Sequence, residues 1–187
     1  MQAFFDSLFG VPGITEIISQ VASIIGMVIM VLSFQCKSNK LFFLVQCAGS
    51  LMFVINFLLI DAYGGALFNL VGLIRGLLFS KQSNKLWKLI TVEVLYAASF
   101  VVSCFLDSDP WKIILTAIPL VGLLVISVFM SRGNSKHIRI VQISLGSPTW
   151  IVHNIFNLSI GGIICECFNM VSSAIFLYRQ KKEETAA

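Results

Sequence analysis

"GGALFNLVGLIRGLLF", Gly64 to Phe79, decides how this chain folds. It reads as a lipid-soluble helix except at Asn69 and Arg75, two side chains for which a bilayer core offers no water. "GGIICECFNMVSSAIFLY", Gly161 to Tyr178, repeats the pattern with Asn169 as its polar guest and Glu166 beside it. A polar guest behind a Gly-Gly pair, twice in one chain, predicts a duplicated membrane fold whose copies share a polar spot.

Composition agrees with a lipid solvent. The chain has 187 residues, of which 57% are hydrophobic and 12% charged. The mean hydropathy is +0.91. The charged share is about half that of a globular domain, and one core of this size cannot hide so much apolar side chain. "MQAFFDSLFG" at the start lacks a basic region and a small-residue cleavage site, so no removable leader is expected. The sequence pI near 8.9 does not point to nucleic acid, because the basic residues are spread over loops. Cys36, Cys47, Cys104, Cys165 and Cys167 have no framework spacing. Cys165 and Cys167 fall on nearly opposite faces of a helix, so no metal site is expected.

Apolar runs predict seven transmembrane helices, at about 14–34, 41–60, 62–80, 86–106, 111–131, 137–157 and 160–178. The breaks between them are short, which makes neighbouring spans antiparallel. Twelve of the 13 basic residues fall on one side, from Lys37 and Lys40 in the first loop to Arg179, Lys181 and Lys182 at the end. Lys112 alone lies opposite. The positive-inside rule then puts the N-terminus outside and the C-terminus in the cytoplasm, with 179–187 as a cytoplasmic tail. That requires an odd number of spans, which seven satisfies.

The repeat extends beyond the opening stretch. Val45 to Val71 and Val141 to Val171 both contain VQ, GS, N, GG and FNxV in that order. The pairs are Gln46 with Gln142, Ser50 with Ser147, Asn56 with Asn154, and Asn69 with Asn169, with a drift of four residues. Repeat one covers about 14–80 and repeat two about 111–178, with 86–106 as a linker helix. Three spans flip the chain and the fourth flips it back, so the two units would enter the membrane in the same sense.

With these motifs in place, the chain resembles the SWEET sugar transporters within the MtN3/PQ-loop group, whose fold is three helices, one linker and three helices. "SFQCKSNKLFF" with "FNLVGLIRGLLF", and the overall length, are more closely similar to the YgjV-type bacterial inner-membrane protein family. The SWEET resemblance implies that Asn69 and Asn169 face a central pocket and hydrogen-bond the solute. The YgjV resemblance implies a bacterial inner-membrane location.

Helix rise places Ser50, Asn69, Trp150 and Asn169 near one depth. Two amides, a hydroxyl and an indole suit a small neutral or zwitterionic polar solute with a flat face. Glu166 shares a helix face with Asn169 and is the candidate coupling residue. Pro119 and Pro148 interrupt spans 5 and 6 and are the candidate hinges. Glu93 and Arg75 are expected to form a structural ion pair. No G-x-S-x-G, H-E-x-x-H or P-loop occurs, so neither enzyme activity nor a cofactor is expected. The expected activity is alternating-access carriage of a small polar solute, in contact with lipid and with no nucleic acid partner. Homo-oligomers stay open. The absence of any Pro-Gln dipeptide motivates the alternative, a non-transporting receptor or assembly partner that keeps the fold.

Overall fold

The computed structural model describes residues 13–33, 39–80, 85–107, 109–132 and 135–186. Helices α1 (Ile14–Ser33), α2 (Asn39–Leu59), α3 (Tyr63–Ser80), α4 (Leu86–Leu106) and α5 (Pro110–Ser131) come first. A single rod follows, made of α6 (Ser135–Val141), a π-helical turn (Gln142–Gly146) and α7 (Ser147–Phe156). Helix α8 (Ile160–Ala186) completes the chain. Among the described residues there is no strand. Cys36, Lys37, Lys81 and the opening decapeptide lie outside the described residues.

The helices are built inside out relative to a water-soluble bundle. Helix α1 buries Ser19, Ala22, Ser23, Gly26 and Ser33, at the three-to-four-residue spacing of one helical face. It exposes Ile17, Val21, Ile24, Ile25, Val28 and Leu32. In lipid the large aliphatics lose nothing by facing out, and small residues let helices approach. The buried hydroxyls return to carbonyls of their own turn: Ser19 to Glu16 (3.1 Å), Ser23 to Gln20 (2.9 Å) and Ser33 to Met30 (2.6 Å). Four helices, α1, α4, α5 and α8, are long and apolar enough to cross a membrane. The apolar parts of α2 (Leu44–Leu59) and α3 (Tyr63–Phe79) are shorter.

Each helix packs on its successor in sequence, and α8 returns to α1, so the bundle closes. Helix α3 also reaches α5, behind α4. Of the four long spans α5 is the most enclosed and α4 the least. Asp109 starts α5 by accepting a hydrogen bond from the Trp111 amide (2.9 Å), with Pro110 in the first turn.

The α2–α3 and α7–α8 turns share one geometry. Asp61 (φ 52°) and Leu158 (φ 53°) are left-handed, a conformation that costs a non-glycine residue about 1 kcal/mol or more. Ala62 N–H donates to Phe57 O and Ser159 N–H to Asn154 O, both at 2.9 Å. The next helix is then entered by Ala66 N–H to Ala62 O (3.2 Å) and Ile163 N–H to Ser159 O (3.0 Å). Each left-handed carbonyl is taken by a side chain from a distant helix. Lys112 of α5 donates to Asp61 O (3.0 Å), and Gln20 of α1 donates to Leu158 O. Gln20 also accepts from Ile160 N–H (3.0 Å).

The shared geometry gives a second register for aligning the two segments. Ala62 and Ser159 are 97 positions apart, and that offset also matches Gly64–Gly65 with Gly161–Gly162 and Ser50 with Ser147. In that register Asn69 corresponds to Glu166 rather than Asn169, whose counterpart is Gly72. Asn56 corresponds to His153, and Asn154 to Phe57. Gln46 and Gln142 are 96 apart, and the missing residue is the one added by the π-helical turn.

Three further expectations change. Pro119 does not interrupt α5, which runs through it from Pro110 to Ser131 with the ring buried. The break in the sixth span is the π-helical turn just before Pro148, a residue that has no amide hydrogen to give to a regular ladder. The stretch expected as a tail continues α8 to Ala186, since "RQKKEETA" is mostly strong helix formers. Lys136 and Glu184 pair there at 3.1 Å, both about half exposed, which contributes little to stability.

Candidate functional site

A cavity of about 410 Å³ lies inside the bundle. Ser50 from α2, Asn69 from α3, Trp150 from α7, and Glu166 and Asn169 from α8 all line it. The four residues expected near one depth thus share one space. Pro119 and Pro148 do not line it.

The second repeat supplies a hydrogen-bonded cluster on the wall. Glu166 Oε2 accepts from Ser147 Oγ (2.7 Å), Gln142 Nε2 (3.4 Å) and Asn169 Nδ2 (3.4 Å). Gln142 Nε2 also donates to Ser147 Oγ (2.8 Å). The π-helical turn makes this contact, because residues five apart stack along a π turn but sit about 140° apart on an α-helix. Ser147 N–H completes the turn by donating to Gln142 O. In α2, which is regular, Gln46 and Ser50 are four apart and face the cavity without a bulge. Asn69 Nδ2 donates to Gly65 O of its own helix at 2.9 Å.

Aromatic rings lie beside the cluster. Trp150 packs on Phe57 at 5.9 Å and edge-on to His153 at 5.4 Å. It touches both apolar clusters of the bundle, one around Phe53 and Phe57, the other around Phe68 and Tyr96. Gly65 permits this stack, since a Cβ there would sit 2.8 Å from His153 and 3.0 Å from Phe57. His153 is fully enclosed and its Nδ1 has no hydrogen-bond partner.

Two arginines also line the cavity. Arg75 does not pair with Glu93. Its Nη1 donates to Ser127 Oγ at 3.3 Å, its guanidinium carbon lies 5.7 Å from the Tyr96 ring centre, and its Nε is buried without a partner. A hydroxyl and an aromatic face on α5 and α4 compete successfully with the carboxylate one turn away on α4. Arg139 Nη1 donates to Ser173 Oγ at 3.3 Å and its guanidinium lies over Phe176 at 5.5 Å.

The profile of the Imp-YgjV family, described as a bacterial inner membrane protein, matches residues 17–184. The chain belongs to this family. No curated protein and no solved structure matches the chain. The Imp-YgjV match spans both turns, the π-helical turn and every cavity residue named above. It makes this a membrane protein of a bacterial inner-membrane family, with four helices able to span the bilayer.

Sequence reasoning undervalued four residues in or beside the cavity wall. Ser147 and Gln142 read as repeat markers, Arg139 as one of the twelve basic residues on one side and Arg75 as half of an ion pair. The signal for the first two is spacing. Gln and Ser are four apart in one copy and five in the other, which is what a helix with one inserted residue looks like.

Proposed function

We propose that the protein is a carrier moving a small neutral or zwitterionic polar solute by alternating access. In this reading α1–α3 and α5–α8 are two parallel three-helix units, α4 is the linker, and the arrangement is SWEET-like. The N-terminus lies outside and the C-terminus in the cytoplasm. The observation that carries the reading is the single cavity lined by Ser50, Asn69, Trp150 and Asn169. Its volume suits a small ligand, and polar groups converge on it from helices of both units.

The reciprocal turn contacts support the parallel arrangement. The second unit reaches the first through Lys112 on Asp61 O, and the first reaches the second through Gln20 on Leu158 O. The packing of α3 on α5 mirrors that of α8 on α1. A two-fold axis along the membrane normal relates each contact to the other.

Uptake into proteoliposomes, screened over labelled polar metabolites, tests the site. Asn69→Ala with Asn169→Ala should slow uptake about thirtyfold, the loss of two hydrogen bonds of about 1 kcal/mol each. Wild-type uptake by the double variant would remove both amides from the solute site. Topology is tested separately. Green fluorescent protein fused after Ala187 should fluoresce, because it matures on the cytoplasmic side; a dark fusion beside an active periplasmic phosphatase fusion at the same point reverses the orientation.

A further inference from the structure

The cavity is electrically polarised. Among the described residues its charged lining side chains are Arg75, Arg139 and Glu166. Arg75 lies six residues beyond Asn69 along α3, about 9 Å of helix axis. Arg139 reaches Ser173, seven residues beyond Glu166 along α8, which sets its guanidinium about 10 Å of helix axis from the carboxylate's turn.

The two signs of charge differ in how well they are satisfied. The Glu166 carboxylate already holds three donors. Each guanidinium has five N–H groups and cannot lose its charge. Yet each makes one hydroxyl contact, at the long distance of 3.3 Å. Among the described residues neither meets a carboxylate within ion-pair distance, since the ion pair there is Lys136–Glu184. The Nε of Arg75 is buried and unpartnered. A charge inside a membrane protein is ordinarily paired or hydrogen-bonded. Two guanidiniums lining one cavity, with no protein carboxylate within ion-pair distance, are a site for an anion brought by the ligand, and their fork geometry fits a carboxylate.

We infer that the transported solute is a small zwitterion of the amino-acid type, its carboxylate held by Arg75 and Arg139 and its ammonium group directed to Glu166. This rests on the carrier reading of the cavity and narrows its solute class, excluding uncharged sugars. The field along the cavity orients a dipolar solute and is indifferent to a sugar. Trp150 and the aromatic rings around it give a face for the solute's carbon skeleton.

Thermal unfolding of the purified protein in lipid nanodiscs tests the inference with three probe pools. These are zwitterionic α-amino acids, the amides of the same amino acids, and neutral mono- and disaccharides. The first pool should raise Tm by about 4 °C when its best member is at ten times its Kd. The amides, which lack the carboxylate, should give less than a tenth of that affinity. Arg75→Gln and Arg139→Gln should each abolish the response while keeping their unliganded Tm within a few degrees of wild type. Arg75→Lys, which keeps the charge and loses the fork, should retain a weakened response and replaces Arg75→Gln should that variant not accumulate. Glu166→Gln should weaken amino-acid binding and leave binding of the matching hydroxy acids unchanged. A response to the sugar or amide pool equal to or above that of the amino acids overturns the inference and leaves the carrier reading standing. No response to any pool also overturns it. Binding of the amino acids with no uptake into proteoliposomes upholds the zwitterion as the cavity's ligand and overturns its carriage instead.

Discussion

Gly161→Ala should destabilise the bundle by about 3 kcal/mol or more, the upper end of the range for forced overpacking. The Cβ it adds would run into the backbone of Ser23 and the amide of Ile24 on α1. Backbone cannot rotate out of the way, so α8 and α1 must separate, and that contact closes the bundle. The turn before Gly161 is tied to the same helix by Gln20, and Ser23 Oγ accepts from the Gly161 amide at 3.2 Å. Gly64, the repeat counterpart, behaves differently because the obstacle there is the Thr116 side chain. Gly64→Ala alone should be destabilising, and Thr116→Ala should recover most of the loss. No side-chain truncation at Ser23 can do the same for Gly161→Ala. Gly76, with nothing within 4 Å of its added Cβ, serves as a control in which alanine is neutral or slightly stabilising. Thermal unfolding of the five variants in one detergent gives the comparison. A Gly161→Ala protein as stable as Gly76→Ala would mean that α1 and α8 are not in contact as described.

Asn56→Ala should cost about 3 kcal/mol, from one orphaned hydroxyl and one cavity. Its amide is fully buried, donates to Ser19 O on α1 at 3.0 Å and accepts from Ser159 Oγ in the α7–α8 turn at 2.8 Å. One side chain thus ties the second helix to the first and to the far turn. Asn154 looks like its twin in the sequence and is equally enclosed, but its Oδ1 has no partner. Asn154→Ala should therefore cost only about 1 kcal/mol, giving up a poorly used amide. Ser159→Ala combined with Asn56→Ala should be less than additive, because both remove the same bond. Equal losses for the two asparagines, or full additivity with Ser159→Ala, would contradict the network.

How much of this was legible beforehand depends on the kind of signal. Lipid as solvent was legible because composition reports it directly. The shared space of Ser50, Asn69, Trp150 and Asn169 was legible because helix rise converts position into depth. Residue equivalence was harder to read. "FNLV" and "FNMV" invite a match of Asn69 with Asn169, yet the Gly-Gly pairs sit closer to the turns that fix the register and give Glu166 instead. The helical continuation past Tyr178 was invisible to hydropathy, which marks where lipid ends and not where hydrogen bonding ends. The fate of Arg75 was also beyond a linear reading. Glu93 is a plausible partner by depth alone, and only the packed arrangement reveals that Ser127 and Tyr96 stand closer.

The widened turn at Gln142–Gly146 sets the phase of everything after it. One surplus residue in a helix rotates the downstream part by about 100°. Wound instead as a regular α-helix with that residue kept, the turn would swing Ser147 and Trp150 together away from Gln142, and the wall that presents Glu166 would come apart. The first copy has no such adjuster. A one-residue deletion there would leave Gln142 and Ser147 four apart on a regular helix, the spacing that already sets Gln46 and Ser50 on one face of α2, so the polar wall should survive the loss of the residue but not the straightening of the turn.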